Sequence, residues 1–158
     1  MSEVKGKSPL HTMTLMSPTE FWNDSCSTED LKYAIDNGAT GGTSNPVIVG
    51  NVLKRELETW RPKIVSFIDE FPTGGEDVIA WKIMQEITVN AAKLLKPIFD
   101  KNNGRNGRLS MQVNAQNYRN TKAIVEQAAY LSSLYPNSNI KLPVTKAGVA
   151  AIEELTYQ

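Results

Sequence analysis

The chain has one cysteine, Cys26, and one histidine, His11, among its 158 residues. A single cysteine cannot close an intramolecular disulfide, and together the two residues offer too few soft ligands for a zinc site. A nucleophilic triad built on histidine would have to use His11. The glycines Gly41 and Gly42 have neither the spacing of a phosphate-binding P-loop nor that of a dinucleotide fold. We therefore expect neither a metal nor a cofactor.

The chain also lacks an excess of charge of either sign. Lys and Arg number 17 and Asp and Glu number 17, so the formal net charge is +0. Nucleic acids and anionic membranes are bound through clustered positive charge, so neither partner is expected. No run approaches the roughly 18 apolar residues of a membrane helix, and the first residues carry no apolar signal core. The expected location is the cytoplasm.

A length of 158 residues with 41% hydrophobic side chains indicates one globular domain with a buried core. Strand and helix signals alternate four times, which predicts an α/β fold built of parallel βα units. Residues 1–18 show no sustained hydrophobic period and are predicted to form a flexible arm, which leaves residues 19–158 as the folded unit. The predicted strands are residues 20–25, 39–44, 109–113 and 139–144, and the predicted helices are 28–37, 120–134 and 146–155, with two or three more between 47 and 100.

Helix-capping residues, prolines and glycines mark the expected ends of several of these elements. Ser27, with Asp30 three residues later, is a weakened capping box at the start of the first predicted helix, and Gly38 ends that helix as a left-handed cap. Within the long helical segment, breaks are predicted at residues 61–62 and 71–75, where proline and glycine interrupt the helical spacing.

Each predicted strand ends in, or close to, a polar residue: Asp24, Asn45, Gln112 or Lys141. Functional groups of parallel βα architectures collect at the carboxyl ends of the strands, so these four side chains are expected at one end of the sheet. Lys141 lies in the otherwise apolar segment 140–144. Desolvation there would favour the neutral amine, which is the form that attacks carbonyl groups.

Each of these residues also has a plain structural interpretation. Lys141 alone is also explained by a strand-end lysine that reaches water, and Asn45 by a helix cap before Pro46. Asp24 would then be a turn residue, and Gln112 a strand residue hydrogen-bonded to its neighbours. Taken singly, the residues leave both interpretations open.

Four segments together resemble the transaldolase family. Residues 141–152, Lys-Leu-Pro-Val-Thr-Lys-Ala-Gly-Val-Ala-Ala-Ile, look like the family's Schiff-base strand and the helix that follows it. Residues 42–46, Gly-Thr-Ser-Asn-Pro, resemble the second-strand Thr-Thr-Asn-Pro motif. Asp24-Ser25 matches the first-strand aspartate, and residues 110–113, Ser-Met-Gln-Val, match the third-strand motif.

The resemblance implies a half barrel over residues 19–158, namely the first four strands of an eight-stranded (βα) barrel, with the helical segment 47–100 as an extension. It implies a transferase of carbohydrate metabolism, in the pentose phosphate pathway, that moves a dihydroxyacetone unit between sugar phosphates. In that role Lys141 forms an imine with a keto sugar, Asp24 accepts a proton during carbon–carbon cleavage and Asn45 holds substrate hydroxyls. The other expected substrate contacts are Thr43, Ser44 and Thr145.

Two departures from the family pattern keep alternatives open. Gln112 is the third expected catalytic residue, but it stands where the larger transaldolases carry a glutamate that works with a bridging water in proton transfer during imine formation. A carboxamide cannot exchange a proton at neutral pH. The related fructose-6-phosphate aldolases carry glutamine there, so a simple aldolase (a lyase) is the alternative enzyme.

The second departure is that strands five to eight, which supply the family's phosphate-binding groups, have no counterpart here. The alternative that is not an enzyme is therefore a catalytically inert fragment or assembly module. Association with a second copy or with a complementing C-terminal half is also expected. The apolar residues Val113, Ile140 and Leu142 are expected on the inner face of the half barrel, without the opposing half to cover them.

Overall fold

A computed structural model describes residues 6–157. Regular elements follow one another through this range, and each strand after the first arrives by way of at least one helix. In chain order they are α1 Pro9–Met16, β1 Trp22–Asn23, α2 Thr28–Asp36, β2 Gly41–Thr43, α3 Pro46–Arg55, α4 Leu57–Glu70, α5 Gly75–Lys101, β3 Arg108–Gln112, a 3-10 turn Ala115–Asn117, α6 Thr121–Ser133, β4 Ser138–Lys141 and α7 Lys146–Tyr157.

The four strands form one parallel sheet in the order β1-β2-β3-β4. Gly41 pairs with Trp22 on one side and with Arg108 on the other, and Gln112 pairs with Lys141 at the far end of β3. Neighbouring parallel strands joined through helices are the arrangement of a (βα) barrel. The predicted α/β class is confirmed, and the sheet is consistent with part of a TIM-type barrel.

The apolar side chains of the sheet face the helices. One core cluster joins Leu109 and Met111 of β3 to helices α2, α3, α4 and α5, and a second joins Val113 to α6 and α7. Ile140 and Leu142 pack against these clusters. The expectation that Val113, Ile140 and Leu142 line the barrel interior was wrong, because the strand pleat turns them toward the helical layer.

Three helices occupy the segment between residues 47 and 100, and one of the two predicted breaks is misplaced. The break near residues 71–75 is confirmed, since α4 ends at Glu70 and α5 begins at Gly75. The other break lies at Glu56, while Pro62 sits inside α4. A proline there removes one backbone donor, and the burial of Phe67, which is 8% exposed, keeps the helix docked on the core.

Residues 6–18 contain a helix that the sequence patterns did not indicate. The Ser8 hydroxyl accepts a hydrogen bond from the His11 backbone N–H and caps α1, and Pro9 occupies its first turn. The helix lies against Gly38, which has a φ of 94° as predicted for a left-handed cap. A Cβ on Gly38 would lie 2.6 Å from Thr14 Oγ1, so the glycine also permits this close contact. Residues 1–5 of the predicted arm lie outside the described range, and its flexibility stays a prediction.

The strands are shorter than predicted, with only two residues in β1 and three in β2. No helix in residues 6–157 is both long and apolar enough to cross a membrane.

Candidate functional site

The structure brings the four predicted polar residues to one end of the sheet. Asp24 directly follows β1 and Asn45 comes two residues after β2, while Gln112 and Lys141 are the last residues of β3 and β4. Gln112 and Lys141 are direct register partners. Because all four strands run parallel, their carboxyl ends share one edge, so the expected convergence is confirmed.

The sheet face opposite the helices is polar at this end. Residues two apart share a face of a strand, so Ser110 accompanies Gln112, and Asn139 accompanies Lys141. The register places Thr43 beside Ser110, and Ser110 beside Asn139. One row, Thr43-Ser110-Asn139, therefore lies directly below a second row that contains Gln112 and Lys141.

Asp24 is held by a neighbouring hydroxyl. Asn23 pairs with Gly42, which sets Asp24 beside Thr43. The Thr43 hydroxyl donates a short hydrogen bond to Asp24 Oδ1. Asp24 is exposed. This contact fixes one carboxylate oxygen and leaves the other open to solvent or substrate.

Asn45 is a helix cap that keeps its donors free. Its Oδ1 accepts hydrogen bonds from the backbone N–H groups of Val47 and Ile48, both at 2.9 Å, while Pro46 occupies the first position of α3. Within residues 6–157 the Nδ2 group of Asn45 donates no hydrogen bond. The cap holds the side chain in one orientation, so the plain structural role and a substrate-binding role are compatible.

Lys141 is exposed, and its apolar neighbours do not bury it. Ile140 and Leu142 point toward the helices, and Val144 is 92% exposed. The expected desolvation by residues 140–144 is therefore absent from this four-stranded sheet. The reason is geometric, since flanking residues of a strand face the opposite side, and the open interior lets water reach the amine.

Gln112 is half-buried beside Lys141, and its side chain makes no hydrogen bond with the described part of the chain. The interpretation of Gln112 as a residue satisfied by neighbouring strands is therefore wrong, and its carboxamide stays available to a ligand.

Two of the predicted substrate contacts are engaged elsewhere. Ser44 is 3% exposed and donates its hydroxyl hydrogen bond to the Ser110 carbonyl at 2.9 Å, so its side chain serves the sheet, and we withdraw it from the candidate site. Thr145 donates to the Tyr118 carbonyl at 2.7 Å and accepts from the Gly148 N–H at 3.0 Å, which caps α7. Thr145 is half-buried and links two loops at this end of the sheet.

Ser110 and Asn139 were missed by sequence reasoning. The signal was the period of two along each strand, because both stand two residues before a predicted site residue. They add a hydroxyl and a carboxamide to the polar face.

The turn after Asp24 is held by an ionic network. Asp30 accepts hydrogen bonds from Arg55 at 2.7 Å and from the Ser25 hydroxyl at 2.9 Å, and these contacts hold the pKa of its carboxyl below the usual range.

Cys26 is 2% exposed, and burial raises the pKa of its thiol to about 12, so it is not a nucleophile at neutral pH. Among residues 6–157, no group of three or more His, Cys, Asp or Glu side chains is placed to hold a metal ion.

Comparison with known proteins decides the family. The Transaldolase/Fructose-6-phosphate aldolase family matches residues 21–158. The chain belongs to this family. The match covers all four strands and every residue of the candidate site, so the resemblance drawn from four short motifs is confirmed.

Individual family members named transaldolase match different lengths of the chain. Transaldolase 2 of Streptomyces avermitilis is 46% identical over 68 residues, which is 42% of this chain and 18% of that protein. Transaldolase of Thiobacillus denitrificans is 31% identical over 130 residues, covering 79% of this chain and 34% of that protein. Transaldolase of Chlamydia felis is 28% identical over 147 residues, covering 84% and 41%. The chain thus spans less than half the length of each of these relatives.

Proposed function

We propose that this chain provides the imine-forming half of a transaldolase-type active site, which transfers a dihydroxyacetone unit between sugar phosphates in the cytoplasm. The observation that carries the proposal is the position of Lys141 beside Gln112, at the same end of the sheet as the Asp24 carboxylate held by Thr43. A primary amine, a carboxylate and an amide donor on one polar face are the groups that imine-based carbon–carbon cleavage needs.

The reaction assigns one task to each group. The neutral Lys141 amine attacks the ketose carbonyl, a carbon–nitrogen bond forms, and the carbonyl oxygen leaves as water. The imine nitrogen takes a proton from water. Asp24 then accepts the proton of the substrate hydroxyl next to the breaking carbon–carbon bond, the hydroxyl-bearing fragment leaves as an aldehyde, and the protonated imine takes the bond's electron pair to become an enamine. Asn45 donates hydrogen bonds through its free Nδ2 group to substrate hydroxyls. The enamine then adds to an acceptor aldehyde, which forms the new carbon–carbon bond, and water hydrolyses the resulting imine, which releases the new ketose and restores the Lys141 amine.

Gln112 favours a second candidate, an aldolase in which water protonates the enamine and then hydrolyses the imine, which releases dihydroxyacetone and restores the Lys141 amine. A carboxamide beside the amine can orient water but cannot exchange a proton. Product analysis separates the two enzymes, because only a transferase needs an acceptor aldehyde to turn over.

A complementing C-terminal half is the partner we propose for the open edge of β4. Parallel strands at a sheet edge leave backbone groups free for a further strand. Beside this edge, a cavity of about 540 Å³ lies between β4, α6 and α7. Ile152 on its wall is 45% exposed. A further βα unit would cover this apolar surface, and a second copy of the chain is the other occupant that the test distinguishes.

The test is borohydride trapping of the imine, read by intact-mass spectrometry and peptide mapping. The chain is incubated with fructose 6-phosphate, alone and with the part of the T. denitrificans transaldolase that follows its matched region. We expect little or no adduct on the chain alone, because Lys141 is hydrated, and one adduct on Lys141 in the complemented complex. Lys141→Ala should abolish the adduct, and Lys32→Ala, which removes an exposed lysine of α2, should leave it unchanged.

Copurification and sedimentation report whether the complex forms. A folded complex that gives no adduct, or an adduct on a different lysine, would remove the Schiff-base assignment. Self-association of the chain without binding of the complementing part would replace the partner proposal by a homo-oligomer.

A further inference from the structure

Three asparagines of the chain directly precede a glycine: Asn37, Asn103 and Asn106. In an Asn-Gly step the backbone nitrogen of the glycine can attack the side-chain amide carbon of the asparagine, because glycine has no side chain to obstruct the approach. The reaction needs a mobile asparagine side chain and a glycine N–H that can leave its hydrogen bond. The structure holds the three steps differently, so they are expected to react at different rates.

The Asn106 step is held at both reacting groups. Asn106 is 9% exposed, and its Nδ2 group donates a hydrogen bond to Glu20 Oε1 at 2.7 Å. The Gly107 N–H donates to the Thr40 carbonyl at 2.7 Å. Gly107 also lies against α5, where an added Cβ would be 2.1 Å from Phe99 N. Neither reacting group can move without breaking contacts with a distant segment of the chain.

The Asn37 step is held by contacts at the end of α2. The Asn37 Nδ2 group donates to the Tyr33 carbonyl at 2.9 Å, and the Gly38 N–H donates to the Ile35 carbonyl at 3.0 Å. Gly38 also packs closely against Thr14 of α1. The hydrogen bond to Tyr33 directs the asparagine side chain back along its own helix and so opposes the reaction.

The Asn103 step is the least restrained of the three. Asn103 is exposed, and its side chain makes no hydrogen bond with any of residues 6–157. One backbone bond restrains the glycine, since the Gly104 N–H donates to the Phe99 carbonyl at 2.9 Å. That bond lies at the end of α5, and helix ends fray, so it opens more readily than the bonds that hold Gly107 to the sheet.

We propose that Asn103 is a site of spontaneous deamidation, with water as its co-reactant. The Gly104 nitrogen forms a bond with Asn103 Cγ, and the side-chain nitrogen leaves as ammonia with the proton that Gly104 gives up. Water then adds to one of the two carbonyl carbons of the succinimide ring and breaks the bond from that carbon to the ring nitrogen, which regains a proton. Opening at Cγ gives aspartate, and opening at the main-chain carbon gives isoaspartate. The inference does not depend on the proposed enzyme.

The product would loosen the turn between α5 and β3. A carboxylate at residue 103 lies at the negative end of the α5 macrodipole, which is unfavourable. Isoaspartate also lengthens the main chain just before Gly104, whose carbonyl accepts a hydrogen bond from Arg108 Nε at 3.0 Å. Arg108 is the first residue of β3, and its guanidinium lies 5.0 Å from the Phe99 ring centre. Deamidation would therefore disturb the start of the strand that ends in Gln112.

The test is storage of the native chain in ¹⁸O-labelled water at neutral pH, followed by peptide mapping with mass spectrometry. The product takes one oxygen from the labelled water, which separates conversion during storage from conversion during digestion. We expect Asn103 to convert first. Asn106 should convert at least about tenfold more slowly, the factor that its charge-assisted hydrogen bond to Glu20 supplies. Asn37 should convert about fivefold more slowly, because its hydrogen bond joins neutral groups.

Storage in urea is the control, since urea removes the structure and leaves the three Asn-Gly steps. The three rates should converge there. Asn103→Gln should nearly abolish conversion at this residue, because its longer side chain closes a less favourable ring, and should leave Asn37 and Asn106 unchanged. The converted chain should melt about 2–4 °C lower than the fresh chain, the shift expected for one unfavourable charge at a helix end.

Native conversion of Asn106 or Asn37 at the rate of Asn103 would overturn the assignment. An Asn103 that converts in urea but stays intact in the native chain would also overturn it, because the hydrogen bond to Phe99 would then be sufficient protection. A converted chain with an unchanged melting temperature would overturn the link between this turn and β3.

Discussion

Replacing Gly148 by alanine should destabilise the chain because α7 touches the loop that leaves β4 at this glycine. An alanine Cβ would lie 1.8 Å from the carbonyl oxygen of Pro143, whereas real Cβ contacts stay beyond 3.0 Å, so the groups must separate by at least 3.0 − 1.8 = 1.2 Å. The carbonyl cannot move freely, since it accepts the Thr145 N–H at 2.9 Å. Overpacking of this kind costs about 1–3 kcal/mol or more, against about 1 kcal/mol gained in helix propensity. Because the clash is with a backbone carbonyl, the cost lies at the upper end of that range, and we expect a net loss of about 2 kcal/mol.

Gly50 in α3 is the matched control for this substitution. It is also a helical glycine, but a Cβ added there meets nothing within 4 Å. Gly50→Ala should therefore stabilise the chain by about 0.5–1 kcal/mol through helix propensity alone. Urea unfolding followed by circular dichroism gives both free energies. Equal effects of the two substitutions, in sign and size, would refute the reasoning from close contact.

Three further outcomes are expected. Gly107→Ala should cost about 3 kcal/mol or abolish folding, measured by urea unfolding, because Gly107 has a φ of 76° and a Cβ would lie 2.1 Å from Phe99 N. The Cys26 thiol should resist a thiol reagent at pH 8 in the native chain and react fully in urea, since burial raises its pKa to about 12; rapid native labelling would contradict this. Folding lowers the pKa of the Asp30 carboxyl below its unfolded value of 3.8, so the ionised carboxylate stabilises the folded chain. The free energy of unfolding lost in Asp30→Asn should therefore be constant above pH 3.8 and should vanish as the pH falls through the folded pKa. Urea unfolding curves of both proteins across this pH range test the prediction.

Local chemistry made part of the fold predictable. Ser27 caps α2 through its contact with the Asp30 N–H, and Asn45 caps α3, as short polar side chains do at helix starts. Gly38 ends its helix in the left-handed conformation. These features depend on a few neighbouring residues, so the sequence contains their cause. The convergence of the four strand ends followed from the parallel order, which needs only the alternation of strands and helices.

The errors arose where the outcome depends on packing between distant segments. Pro62 was taken to break a helix, but tertiary burial of the same helix outweighs one missing hydrogen bond. Val113, Ile140 and Leu142 were placed on the inner face, although they pack on the helices. Alternation along a strand shows which residues share a face of the sheet. Only the position of the helical layer shows which face packs on the helices and which faces the barrel interior.

The division of the sheet into two faces explains why the candidate site can exist on this chain. The helix-facing side carries the core, with Leu109 and Met111 of β3 almost without exposed surface. The other side carries Thr43, Ser110 and Lys141, which contribute no apolar area to that core. Burial of apolar surface supplies most of the folding free energy, so the polar face is left free to vary with chemistry. The same division leaves Lys141 exposed in this chain. Under the proposed function, its reactivity would therefore depend on the complementing half that we propose for the open edge of β4.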